Sequence, residues 1–229
     1  MGNLSEFLME ELNVATAFTI PIFGGIEVAE STVISWVIMA IIVILTLVLT
    51  RNMRVEKPGK LQVGVEYAVT ALQNLVRGII GHEGERYVPY LSTMLVFLGI
   101  SNIFAIFGMK PPTKDLNVTA ALALMSIILV QAASIRQNKV GGWLKGFTKP
   151  SKVITPLNVM ELVIRPLSLC MRLFGNVMGA FVVMKLLEHL VPVILPAVFS
   201  LYFDFFDGLL QAYVFVFLTG LYIKEAVEE

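Results

Sequence analysis

A chain of 229 residues that is 57% hydrophobic and only 15% charged departs from a soluble domain, which is usually about 45–50% apolar and 25% charged. Its 17 basic and 17 acidic residues cancel, so bulk charge offers nothing to nucleic acid, and a single cysteine, Cys170, excludes an intrachain disulfide or a cysteine-rich metal site. With mean hydropathy +0.81 this is the composition of an integral membrane protein, and apolar runs of about 20 residues fit helices crossing about 30 Å of hydrocarbon rather than the short alternating strands of a barrel.

Residues 1–30 are moderately polar, with Glu6, Glu10, Glu11, Glu27 and Glu30 and no lysine or arginine. No basic segment precedes the first apolar run, so a cleaved signal peptide is not expected. The first span is expected over 31–50, closed by Arg51, Arg54, Lys57 and Lys60. After Pro58 and Gly59, Leu61, Val65, Ala68, Leu72, Leu75 and Ile79 recur at helical spacing, while Gln62, Glu66, Thr70, Gln73 and Arg77 take the other face. That pattern predicts an amphipathic helix over about 58–81 lying along the membrane interface.

A second span is expected over 88–109, interrupted only by Ser101 and Asn102 and ended by the two prolines of Lys110–Asn117. The third follows over 116–135, then a basic segment, Arg136 to Lys152, carrying Gly141, Gly142 and the interface-type residues Trp143 and Phe147. The fourth, 158–187, is too long for an upright helix, so tilt is expected. Lys185, Glu188 and His189 mark its far end, and Pro192 and Pro196 form the hairpin into a fifth span over 197–223. The chain reads as one membrane domain over 1–229, all-α, with five transmembrane helices and one interfacial helix. Its last two spans form a long tilted hairpin.

Basic residues fix an orientation. Residues 51–87 hold Arg51, Arg54, Lys57, Lys60, Arg77 and Arg86; residues 136–152 hold Arg136, Lys139, Lys145, Lys149 and Lys152; the turn at 109–115 holds only Lys110 and Lys114. Five spans from an outside N-terminus to an inside C-terminus put both large basic groups in the cytoplasm.

Two polar stripes interrupt the last two spans. Asn158, Glu161, Arg165, Ser168, Arg172, Gly175, Asn176 and Gly179 fall on one side of a 3.6-residue helix whose other side is Leu, Val, Met and Phe. Arg172 is the costly member: an arginine at the bilayer centre costs from about +2.5 to more than +10 kcal/mol, so it needs a partner and a purpose. A structural ion pair with a neighbouring aspartate is the competing account. Against it, Ser168, Gly175 and Gly179 bring another surface close rather than screen a charge. In the last span Asp204, Asp207, Gly208 and Gln211 stand at i, i+3, i+4 and i+7, hence on one face. Upright helices would leave Arg172 and Gln211 roughly 8 Å apart in depth, a gap that tilt closes. Asp204 and Asp207 lie in the outer half, where acids wetted from outside take up and release a cation. For Asp207 a solvated loop edge is an equal alternative. Cys170 reads as a small apolar packing residue.

The run RPLSLCMRLFGNVMG, Arg165–Gly179, resembles the signature of subunit a of F-type ATP synthases, the membrane stator that faces a rotating c-ring. The resemblance extends to LLQAYVFVFLTGLYI (Leu209–Ile223), PTKDLNVTAALAL (Pro112–Leu124) and EKPGKLQVGVE (Glu56–Glu66), and so covers nearly the whole chain. It implies that Arg172 faces the ring carboxylates and separates two aqueous half-channels, with Asn176 and Gln211 beside it. Members of the family often carry an acid or histidine nine residues after the arginine and another seven before the glutamine. Here the first position is Phe181, a departure, and the second is Asp204, so the outer half-channel relies on Asp204, with Asp207 beside it. The resemblance further implies c-ring subunits, a peripheral-stalk subunit b and the rest of the synthase as partners, in the bilayer of a bacterial plasma membrane. It implies no catalysis by the chain alone and no cofactor. The coupling ion, H⁺ or Na⁺, is set by the ring.

Two other readings compete. A stand-alone transporter for a small anion would use Arg172 as the substrate ligand, and would be active as the purified chain. An intramembrane enzyme would use Asp204 and Asp207 as a catalytic pair, but those acids sit three apart on one helix rather than on facing helices. No repeat relates the halves, as an inverted-repeat transporter requires, and no nucleotide-binding glycine loop, zinc-type spacing or Gly-x-Ser-x-Gly turn is present.

Overall fold

A computed structural model of the chain describes residues 16–20, 26–51, 53–54, 59–82, 84–104, 111–146, 155–190 and 199–228. It opens on a feature the all-α expectation lacked. Strand β1 (Thr16–Ile20) pairs antiparallel with β2 (Ile26–Ala29), Phe18 opposite Val28 and Thr19 opposite Glu27. The β-branched and aromatic content of TAFTI and IEVA favours this pairing; glutamates scattered through residues 1–30 masked it in the sequence.

Six helices follow: α1 (Glu30–Thr50), α2 (Lys60–Ile80), α3 (Val88–Ile103), α4 (Leu116–Gly146), α5 (Thr155–Leu190) and α6 (Gly208–Glu228). Short 3₁₀ turns at Glu85–Tyr87 and Pro112–Lys114 lead into α3 and α4, and a π-helical segment, Leu201–Asp207, runs straight into α6. Helix α3 starts with a proline in its first turn, where the missing N–H costs nothing. Asp115 caps α4 by accepting the Asn117 N–H on Oδ1 at 2.9 Å.

Among the described residues, four helices are long and apolar enough to cross a membrane: Glu30–Thr50, Leu116–Trp143, Thr155–Glu188 and Leu201–Val227. Helix α3, at 16 residues, is shorter than a span over its described length. The remainder of the span expected there, residues 105–109, lies outside the described residues, as does the expected Pro192–Pro196 hairpin. The third span overran its expected end at Ile135: α4 stays helical to Lys139, whose φ of 56° breaks the axis. Beyond the break Trp143 donates its Nε1–H to Gln131 at 2.8 Å, so the chain folds back on α4. Helix α5, 36 residues and hence about 54 Å long, exceeds about 30 Å of hydrocarbon by enough to fit the strongly tilted course expected of it.

The core lies where α3, α4 and α6 meet the end of α2. Ile80, Leu98, Val130, Leu173, Phe215 and Val216 are buried there. Lipid supplies no hydrophobic drive between helices, so close packing must hold them. Two glycines of α6 permit it: a Cβ on Gly208 would stand 2.9 Å from Asn102 Cβ, and one on Gly220 would stand 3.0 Å from Ile79 Cγ2. The last two helices were expected to be antiparallel neighbours, and they are antiparallel. Helix α5, however, packs chiefly on α4, and α6 on α3 and α4, with a smaller direct contact between the two.

Candidate functional site

Helix α5 buries Leu169, Cys170, Leu173 and Met184, with Cys170 Sγ 3.6 Å from Thr119 Oγ1 of α4. The cysteine therefore packs, as its type predicts. The opposite side of α5 turns outward and carries Ser168, Arg172, Gly175, Asn176 and Gly179 among the apolar residues Ile164, Leu167 and Met171. Arg172 is exposed and makes no hydrogen bond or ion pair with any described residue. A structural pairing of Arg172 with an aspartate is thus absent among the described residues. A Cβ added to Gly175 or Gly179 would meet nothing within 4 Å, so this glycine spacing closes no contact among the described residues. The small-residue stripe is open to another surface.

Gln211, on α6, is 96% buried in the complementary sense of its 4% exposure, and it is reached from α5 by Asn176 rather than by Arg172. Asn176 Nδ2 donates to Gln211 Oε1 at 2.6 Å. The Arg172–Gln211 contact suggested by depth counting is replaced by a partner one turn further along α5. The Gln211 Nε2 group is buried and donates to no described residue, leaving a spare donor beside the Arg172 stripe.

The acids stand differently. Asp207 is partly buried at the last position of the π-helical segment, and Asp204 belongs to the same segment, its side chain lying outside the described residues. Their expected alignment with Gln211 assumed uniform α-helical winding. A π-helix closes i→i+5 bonds, so each residue advances through a smaller angle than the roughly 100° of an α-helix. Asp204 is therefore displaced around the axis from the face that i, i+3, i+4, i+7 counting gives it. Aromatic packing accompanies the wide turns, with Tyr202 edge-on to Phe203 at 5.2 Å between centroids.

Next to this segment lies a buried polar layer that spacing arguments did not assemble. Asn102 of α3 donates to the Gly208 carbonyl at 2.8 Å and accepts from Thr113 Oγ1 at 2.9 Å. Ser31 at the start of α1 donates to Asp115 Oδ2 at 2.5 Å. Lys114, itself buried, holds Nζ 3.4 Å from the centroid of the Phe181 ring, and Lys185 approaches the same ring at 5.7 Å. Phe181 thus receives two cations on a ring face rather than offering a carboxylate. The signal for this layer was the PTKDLN run together with the Ser101–Asn102 interruption of an apolar span.

Toward the other end of α5, Arg165 Nη2 lies 2.7 Å from Glu161 Oε2 and 3.0 Å from Glu225 Oε1 of α6, with the guanidinium centre 4.9 Å from the Tyr222 ring centroid. No group of three metal-ligating side chains gathers among the described residues.

Against this geometry, the model of the ATP synthase A chain family matches residues 32–224. Among curated relatives, an ATP synthase subunit a of Moorella thermoacetica is 37% identical over 89% of this chain and 93% of its own length. An ATP synthase subunit a 1 of Hahella chejuensis is 33% identical over 90% and 87%. An ATP synthase subunit a described as sodium ion specific, from Propionigenium modestum, is 31% identical over 89% of this chain and 75% of its own length.

Proposed function

The chain belongs to the ATP synthase A chain family, and from that premise we propose that it carries ions across the membrane as the stator partner of a rotating ring, with Arg172 dividing two half-channels. It does no covalent chemistry itself. The observation that carries this reading is the exposed guanidinium of Arg172, without a partner among the described residues, on a stripe of small residues in an otherwise apolar helix face. A carboxylate on a moving ring tolerates lipid only when neutral, because a bare anion there is strongly disfavoured. Opposite Arg172 the anion is favoured, so the ion leaves on one side and another binds on the other. A transmembrane potential supplies about 2.3 kcal/mol per charge per 100 mV to drive the cycle.

In this scheme Asn176 and Gln211 line the path beside Arg172, and Asp204 with Asp207 receives ions from outside. The ring's c subunits cover the exposed stripe of α5, and a peripheral-stalk subunit b holds the chain still. The spans 31–50, 88–109, 116–135, 158–187 and 197–223 cross a bacterial plasma membrane from an outside N-terminus, and α2 lies along the inner interface. Cysteines placed at Asn52 and Asn138 then resist a membrane-impermeant thiol reagent in intact cells; labelling of either overturns the orientation. The ion is a cation, and the name of the Propionigenium modestum relative keeps sodium beside the proton as a candidate.

Arg172→Ala tests the central claim in the assembled complex reconstituted into vesicles. ATP-driven pumping is expected to vanish while ring and stator remain together, and passive flux rises because the electrostatic barrier between half-channels is gone. Coupled pumping at the wild-type rate would reduce Arg172 to a structural charge.

A further inference from the structure

Arg165, Arg172 and Asn176 lie on one line of α5, within ~40° of one another around the axis of an α-helix. The two outer members are tied to α6 and the middle one is not. Arg165 is held by Glu225, and Asn176 by Gln211, whereas Arg172 is exposed between them. Measured along α5 the ties are about 11 residues apart, or ~16 Å, and Arg172 sits about 7 residues, or ~10 Å, from the first. Helix α5 packs chiefly on α4, and α6 on α3 and α4, so these two polar ties are prominent among the smaller set of direct links between the pair, one on each side of the exposed Arg172.

We infer that Arg165 and Glu225 are positioning residues for ion transfer: their pair, acting with Asn176–Gln211, ties α5 to α6 on either side of Arg172 and thereby fixes the depth and reach of Arg172. The inference rests on the role proposed for Arg172. A single tie between two rods leaves a pivot, about which one helix swings against the other. Two separated ties remove that freedom. Slippage of one helical turn would carry Arg172 about 5.4 Å along the path, enough to break its register with a ring carboxylate. The chemistry of the first tie suits a fixed joint. Glu161, four residues before Arg165, orients the guanidinium from its own helix, and the same Nη2 group also meets Glu225 while the guanidinium centre rests near the Tyr222 ring. Arg172 owes its freedom to this frame, since its neighbours along the same line absorb the load of holding the helices.

The test uses the whole complex in vesicles, with ATP-driven pumping and passive ion flux measured per assembled complex. Glu225→Arg places two cations at the joint and is expected to lower pumping ~10-fold or more, as misplacement of a reacting group by about 1 Å already does in enzymes. The swapped pair, Arg165→Glu with Glu225→Arg, restores one cation between two carboxylates and recovers most of the pumping. Glu225→Gln, isosteric and milder, lowers pumping several-fold and decides the matter if Glu225→Arg does not assemble. A purely structural role would reduce the amount of complex and leave pumping and flux per complex at wild-type values. Wild-type values per complex in Glu225→Gln, or a swapped pair as defective as Glu225→Arg alone, overturn the inference. Arg172→Ala is run alongside. If it pumps, the reading of Arg172 fails; if it does not while the Glu225 variants pump normally, only the frame fails.

Discussion

Two sets of polar groups occupy the same apolar bundle and are treated in opposite ways. Around Asn102, Thr113, Gly208, Ser31 and Asp115, donors and acceptors find one another at 2.5–2.9 Å and the residues are buried. Along the outward side of α5, Arg172 is exposed without a described partner, and Gly175 and Gly179 leave room that no described residue fills. In hydrocarbon an unsatisfied polar group costs several kcal/mol. A polar residue that the chain satisfies itself is therefore a joint, and one that it leaves open is completed by something else. The contrast separates the parts that hold from the parts that act.

Substitutions on either side of that contrast should behave differently, and pumping per assembled complex is the measure that separates them. Arg172→Lys keeps the charge but loses the rigid fork and titrates more readily when desolvated, so pumping is expected to fall nearly as far as in Arg172→Ala. Near-normal pumping by the lysine variant would mean that a point charge suffices. Gly175→Leu adds bulk where the chain offers open space; the stator should fold and insert normally yet pump ~10-fold less, because a close-packing helix surface is lost. Full pumping would place the ring elsewhere.

Asp204→Asn keeps size and removes the ionisable group. Transport should slow several-fold with assembly intact, and an unchanged rate would route the ion away from this acid. Asn102→Leu belongs to the other class. It strands the Thr113 hydroxyl, worth about 1–3 kcal/mol when left buried without a partner, and removes the second donor to the Gly208 carbonyl, which keeps its helical bond. The melting temperature of the purified complex should drop while each surviving complex pumps as before. A specific pumping defect without loss of stability would move Asn102 from the joints to the path.

Much of the fold was legible because membrane helices announce themselves by length and composition. The boundaries 31–50 and 158–187 fall inside α1 and α5, and Pro58–Gly59 marks where α2 starts. The stripe of α5 was legible for the same reason, since a uniform α-helix preserves the period from which it was read. Three things were not. The β1–β2 hairpin is short and shares its stretch with acidic residues. The α4 break at Lys139 depends on one backbone angle that no residue pattern near it demands. The partner of Gln211 required the relative placement of two helices to within one turn, which residue counting through a proline-containing hairpin does not supply. Within the site, then, the sequence specified which residues were polar, and packing decided which of them met.

The π-helical segment Leu201–Asp207 has a mechanical meaning. Its seven residues are wound more loosely than the helix they feed, and the two portions share one continuous backbone. Tightening those turns to α-helical winding would rotate everything before the segment relative to everything after it, as a swivel turns one shaft on another. The inner shaft, pinned through Gln211 and Glu225, would stay where it is. The two acids, which lie within the swivel itself, thus have an angular setting of their own, adjustable by a single insertion or deletion near Leu201 without disturbing the arginine's surroundings.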